Sequence, residues 1–330
     1  MKNAVYITTA KPSEGSGGGV VALHEIKALN PSLVVSMSEQ SPFLNDYFCL
    51  WKIRNEAPFE LVHFYGTPFG LTAEYLKKQG TRIFATVPAH NLERSVEEHI
   101  KLFGQYPYNH MTDPYLWNIY SHHIKIADTV ICPSKMSADY IKQKLALTKD
   151  PTIIRHGCNL PKEPAPLPEI FTVGHLSQVG PDKGQIYLVQ AWNSLKLPNA
   201  RIFIAGQGTE QFGGAGYIPD EKAFHNSISI LVQPSVTEGY GIPVLSAMAN
   251  ARPVIVTEGA GVHEIVEDGK EGFVVPIRDP LILAEKIRYF YDHPDEIKRM
   301  GQNARKKSES YDWAIIEKQY QEVWKEALCR

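Results

Sequence analysis

A short β-branched run, a turn rich in Gly, Pro or Ser, and then a longer helical pattern recur along almost the whole chain. This alternation constrains the fold more than any other feature. A strand that returns to its own sheet through a crossover helix does so in parallel, so the repeated unit predicts doubly wound α/β domains. Strands are predicted over 4–8, 33–36, 61–64, 82–87, 129–132 and 152–155, with helical patterns between most of them. Residues 159–169 then place four prolines within eight positions, which denies both helix and central strand and marks a connector. Beyond it the alternation restarts, with strands predicted over 170–173, 201–205, 229–232 and 253–256. The end of the chain reads as helical, with starts signalled by Asp279-Pro280, His293-Pro294 and Tyr311-Asp312-Trp313. At ~100–200 residues per domain, two such domains account for the 330 residues present.

Composition removes several classes of partner. Lys plus Arg number 34 against 36 Asp plus Glu, a formal charge of -2, so no global field draws the chain to nucleic acid. Four scattered cysteines without a C-x-x-C pair fit reduced thiols better than a disulfide framework or structural zinc. The apolar run at the N-terminus is too short for a signal peptide, and no stretch approaches the ~18 apolar residues of a membrane span. The expectation is a cytoplasmic protein. Lys135, Lys142, Lys144 and Lys149 read as a solvated basic face, with peripheral contact at the inner face of a membrane as the alternative.

Three segments carry chemistry. Gly15 to Gly19, with Gly17 and Gly18 at its centre, reads as a glycine loop at a helix N-terminus, suited to close approach of an anion or an acceptor substrate. It is not a dinucleotide fingerprint, because Lys11-Pro-Ser-Glu14 separates it from the strand. In Pro234-Ser-Val-Thr-Glu238-Gly-Tyr-Gly241-Ile-Pro243, glycines surround a helix start whose amides and positive dipole end suit a diphosphate. Glu238 there offers acceptors to ligand hydroxyls. Lys183, in a strand-to-helix turn outside any Walker A spacing, is a candidate phosphate counter-charge.

Residues 171–280 resemble the C-terminal domain of glycosyltransferase family 4. The likeness runs through Gly-His-Leu-Ser…Asp-Lys-Gly, Ala-Arg-Ile-Phe-Ile-Ala-Gly-Gln-Gly, Pro-Ser…Glu-Gly-Tyr-Gly-Ile-Pro and Glu264-Ile-Val-Glu-Asp-Gly. Weaker similarities in the first half (the glycine loop, Val62-His63, Thr86-Val-Pro-Ala-His90, Pro133-Ser134, His156-Gly157) occur in the same order. The resemblance implies a GT-B fold: two Rossmann-like parallel-sheet domains facing across a cleft, with a final helix crossing back to the first. The expected division is 1–162 for the acceptor domain, 163–310 for the nucleotide-sugar domain and 311–330 for the returning helix.

It further implies a retaining, metal-independent glycosyltransferase that uses a UDP- or GDP-sugar, needs no cofactor and transfers a hexosyl or N-acetylhexosaminyl unit to an unidentified acceptor. Glu238 would contact the donor sugar, and Lys183 with the backbone of Gly239, Tyr240 and Gly241 would hold the diphosphate. His90 would lie near the anomeric carbon. Two departures stand out: Ser246 replaces the family's second carboxylate in the nucleotide site, and His175 replaces a phosphate-binding Arg. They motivate one alternative, a non-catalytic sugar-nucleotide binder, and a nucleotide-sugar epimerase of the same fold stands as another. Among the aromatics of 93–120, Tyr106 and Tyr108 are the candidate acceptor contacts. No D-x-D triplet offers a metal-diphosphate site.

Overall fold

In the computed structural model the described residues are 3–13, 17–37, 42–56, 58–66, 69–106, 117–119, 121–164 and 166–329. They form two compact units. The first comprises Met1–Ala89, Pro107–His156 and Trp313–Arg330, and the second His90–Tyr106 and Gly157–Asp312.

The first unit is built on a six-stranded parallel sheet of order β2-β1-β3-β4-β5-β6. Its strands are β1 (Ala4–Thr8), β2 (Leu33–Ser36), β3 (Leu61–Tyr65), β4 (Arg82–Thr86), β5 (Thr129–Cys132) and β6 (Thr152–Ile153). Helices α1 (Gly17–Leu29), α2 (Pro42–Ile53), α3 (Gly70–Lys78), α5 (His122–Ile126), α6 (Lys135–Leu145) and α12 (Trp313–Leu328) accompany it. β1 and β3 are buried along their whole length, as strands covered on both faces must be.

A buried polar network binds α12 to this sheet. Tyr6 Oη and Thr86 Oγ1 donate to the two oxygens of Glu25, at 2.5 and 2.7 Å. Trp324 Nε1 donates to His63 Nδ1 at 3.0 Å, so the imidazole carries its proton on Nε2, which lies 2.9 Å from Thr86 Oγ1 and 3.3 Å from Glu25. Burial pushes the Glu25 carboxyl up. The His63 imidazole and the hydrogen bonds from His63, Tyr6 and Thr86 outweigh it and hold the group below the usual carboxylate range. Nearer the start of α12, Trp313 stacks on His24 at 4.1 Å and Glu317 accepts from Lys27 at 2.9 Å.

The second unit carries a five-stranded parallel sheet of order β11-β10-β9-β7-β8. Its strands are β7 (Phe171–Leu176), β8 (Ala200–Ala205), β9 (Ile230–Gln233), β10 (Val254–Thr257) and β11 (Gly272–Val275). Its helices are α4 (Leu92–Phe103), α7 (Gln185–Ser194), α8 (Glu221–Asn226), α9 (Ile242–Ala249), α10 (Pro280–Asp292) and α11 (Pro294–Ser308). Asp279 caps α10 by accepting from the amides of Leu281 and Ile282.

The helix starts at 280, 294 and 313 coincide with the sequence signals, and the ten predicted strands appear with ends displaced by up to three residues. β11 is an addition. It is short and opens on Gly272 at φ +156, where a Cβ would stand 1.9 Å from the Val254 carbonyl oxygen, so only glycine allows β10 and β11 to approach this closely. The segment 90–106 contacts the second unit although it connects two strands of the first.

Trp324→Ala is expected to destabilise the protein by about 3–5 kcal/mol in urea unfolding, through the cavity left by a large buried ring. Trp324→Phe retains most of the packing but removes the donor to His63, and its expected cost is about 1–3 kcal/mol.

Candidate functional site

The chain passes from β7 to β8 on one side of the sheet and then to β9 on the other, so the loops leaving the carboxyl ends of β7 and β9 diverge at a topological switch point. The loop after β7 ends in the 3₁₀ turn Pro181–Lys183, and the loop after β9 runs from Pro234 to Gly241 and opens α9. The two are sewn together. The amides of Val236 and Thr237 donate to the Asp182 carbonyl at 2.8 and 3.3 Å. Gly184, at φ +70, packs so closely that a Cβ would stand 2.0 Å from the Pro234 carbonyl oxygen. On its far side Glu238 is fixed by its own amide to Gly259 at 2.8 Å and by the Gly261 amide to its carbonyl at 3.0 Å.

This stitching brings Lys183 Nζ to 2.5 Å from Glu238 Oε2 and 3.4 Å from Asp182 Oδ2. The lysine side chain is 13% exposed and that of Glu238 24%, so the pair is shielded but open to a ligand. Burial alone would lower the Lys183 pKa, but the Glu238 and Asp182 carboxylates reverse this and raise it above the ordinary value. Glu238 is the mirror case: burial raises it, while the Lys183 charge, with smaller help from His90 and the Tyr240 amide, brings it below the usual range. Both partners are therefore ionised at neutral pH.

His90 lies within electrostatic reach of the pair. Burial lowers its pKa and the Lys183 charge lowers it further, against opposite pulls from Asp182 and Glu238, so the imidazole is neutral at pH 7. The next residue is pinned: the Asn91 amide donates to Thr237 Oγ1 at 2.9 Å, and the Asn91 side chain caps α4 by accepting from Arg94 at 2.8 Å. α9 begins behind Gly241, at φ +110, and no side chain caps its first turn. The site therefore combines a cation, a carboxylate, a neutral imidazole and a helix N-terminus, which together can hold an anion and hydrogen-bond neighbouring hydroxyls.

The remaining candidates are placed as follows. His175 is fully buried, with Nδ1 2.9 Å from the Val232 carbonyl, so Nδ1 carries the proton and Nε2 is a bare acceptor. Burial and the Lys183 charge lower its pKa to about 4, outweighing the Val232 hydrogen bond, so at neutral pH it has no proton to give a phosphate oxygen. Its hydrogen bond in the fold is to the backbone of β9. The Tyr240 ring is packed in the core with Val244 and Val262, and its amide serves Glu238. Ser246 lies in α9 near Glu221. Burial raises the Glu221 carboxyl, but His225, with Nε2 at 3.2 Å, and to a smaller extent Ser246 bring it below the usual range. Gly17 and Gly18 open α1 in the first unit. Tyr106 is exposed at the end of the 90–106 segment, and Tyr108 lies outside the described residues.

Sequence reasoning missed Asp182, Asn91 and Thr237. Asp182 stands next to Lys183 in the motif and could have been found there, whereas Asn91 and Thr237 lie 146 positions apart with no shared pattern. Among the described residues no three His, Cys, Asp or Glu side chains gather as a metal would require, and no helix is long and apolar enough to cross a membrane.

Residues 167–293 match the protein family described as Glycosyl transferases group 1. The chain is similar to a D-inositol 3-phosphate glycosyltransferase of Streptomyces scabiei, 35% identical over 30% of this chain and 22% of the relative. It is also similar to the capsular polysaccharide biosynthesis glycosyltransferase CapM of Staphylococcus aureus, 26% identical over 48% of this chain and 47% of the relative. These alignments span less than half the length of either relative. Two solved structures match nearly end to end. Anabaena HepE in complex with UDP-glucose gives a TM-score of 0.75 at 16% identity over 98% of this chain and 100% of that one. The sucrose-phosphate synthase of Thermosynechococcus elongatus gives 0.82 at 16% identity over 99% of both chains. The fold is GT-B.

The ion pair has a pH signature. Because the folded pKa of Glu238 lies below its unfolded value, its stabilisation is complete above about pH 4.3 and is lost as pH falls through the folded value. Glu238→Gln should flatten the dependence of unfolding free energy on pH below about 4.3, measured by urea titrations at stepped pH.

Proposed function

We propose that this protein is a glycosyltransferase that moves a sugar from a nucleoside-diphosphate sugar, with UDP as the favoured nucleotide, to an acceptor hydroxyl with retention at the anomeric carbon. The observation that carries this reading is the Lys183–Glu238 pair beside His90, set at the switch point between β7 and β9. The group 1 match, which spans Lys183 and Glu238, and the UDP-glucose complex of HepE support it.

The chemistry follows from the two charges of the pair. Lys183 spends its charge on Glu238, and a diphosphate with a higher charge density competes for it. Once displaced, the Glu238 carboxylate has free acceptor positions for sugar hydroxyls, while Lys183 and the N-terminus of α9 face the phosphates. As the bond from C1 to the β-phosphate oxygen breaks, negative charge builds on the leaving diphosphate. Lys183 and the helix amides stabilise that charge without reorganising, a role a divalent cation fills in other transferases. The acceptor oxygen forms its bond to C1 on the face the diphosphate vacates, and its proton passes to the departing phosphate oxygen. His90, neutral, hydrogen-bonds the sugar and holds C1 against the diphosphate.

A thermal-shift screen of nucleoside-diphosphate sugars should single out one donor, because a ligand bound only by the folded state stabilises it by RT ln(1 + [L]/Kd). Transfer from that donor should fall by about 10²–10³-fold in Lys183→Ala, a loss of the order seen when one preorganised charge-stabilising group is removed. Glu238→Ala should raise donor KM and lower kcat together. Undiminished transfer by both variants would refute the assignment, and conversion of the donor without acceptor would indicate an epimerase.

A further inference from the structure

Glu98 of α4 is completely buried, an expensive position for a carboxylate unless its oxygens are fully engaged. Both are. Tyr187 Oη of α7 donates to Oε1, and Arg278 Nε donates to Oε2 at 2.6 Å. Lys101, one turn further along α4, donates to the same Tyr187 hydroxyl at 2.8 Å and lies 5.2 Å from the centre of its ring. Arg278 also reaches Glu97, at 3.7 Å, and holds φ +61, a conformation that an L side chain rarely adopts, immediately before the cap of α10. Side chains from two distant stretches of sequence, Tyr187 and Arg278, thus converge on one helix. That helix belongs to the second unit although the chain on either side of it belongs to the first.

An apolar contact could bury α4 at less cost, but it would tolerate sliding, whereas a buried, doubly bonded carboxylate fixes the helix in one register. What that register sets is the N-terminus of α4, where Asn91 bonds Thr237 and His90 faces Lys183, Asp182 and Glu238. We infer that Glu98 is a positioning residue: locked between Tyr187 and Arg278, it fixes α4 and so holds His90 against the Lys183–Glu238 pair. The catalytic consequence rests on the reading of that pair as the donor site, whereas the positional one does not.

Two measurements separate them. In the intact protein with ¹³C-labelled histidine, the His90 resonance should titrate below the ordinary histidine value. In Glu98→Ala it should titrate closer to that value, as the imidazole leaves its shielded place beside Lys183. Glu98→Gln, which retains a partner for Tyr187, should fall between. Kinetically, Glu98→Ala should lower kcat by about 10- to 100-fold, as a misplaced group does, with donor KM changed far less. Glu98→Gln should recover part of the rate. If Glu98→Ala does not fold, Tyr187→Phe and Arg278→Gln each remove one bond to Glu98 and should shift the same resonance in the same direction. An unchanged His90 titration in folded variants would overturn the inference, as would a fall in kcat that only tracks the loss of folded protein. If wild-type protein transfers no sugar, the donor-site reading fails, and the His90 titration still decides whether Glu98 positions it.

Discussion

The site depends on one shielded ion pair. Lys183 and Glu238 lie 55 positions apart and meet because β7 and β9 are neighbours and backbone hydrogen bonds hold together the loops that leave their carboxyl ends. Everything around them serves that meeting: the Asp182 carbonyl accepts two amides from the facing loop, and Gly184 lets two backbones touch where a side chain would clash. A charged pair at this depth gives little net stability, since desolvation offsets much of its attraction. Its value lies in chemistry. Under the proposed function the pair stores a cation and a carboxylate in mutual neutrality until an anionic ligand separates them.

The first unit solves a different problem with the same means. Its final helix is far in sequence from the sheet it covers, and Tyr6, Glu25, His63, Thr86 and Trp324 join sheet, α1 and α12 through hydrogen bonds in which each polar atom's role is set by its neighbour. The indole proton fixes the imidazole tautomer, and the tautomer fixes the direction of the bond to Thr86. Networks of this kind specify one register where apolar packing alone would allow several. Glu98 in the second unit follows the same pattern, with Tyr187 and Arg278 as its partners.

What was legible in the sequence was local. Alternation located ten strands because a buried parallel strand must be an apolar run, and Asp-Pro and His-Pro pairs marked helix starts because proline there gives up an amide the helix cannot use. Lys183 and Glu238 were legible as members of glycine-flanked turns. Their pairing was not, because it depends on strand order, which no spacing encodes. β11, a strand of four residues, was missed, and the bond from His175 to the Val232 carbonyl, 57 positions away, left no local mark. The convergence of Glu98, Tyr187 and Arg278 left no local trace at all.

The central claim is that the second unit holds a diphosphate by exchanging Lys183 from Glu238 to the ligand. Calorimetric titration of the intact protein with uridine, UMP, UDP and UDP-glucose tests it most directly. The account predicts a steep gain in affinity from UMP to UDP, where the second phosphate arrives, and loss of that gain in Lys183→Ala with uridine binding unaltered. Equal binding of uridine and UDP, or a gain that survives the loss of Lys183, would contradict it.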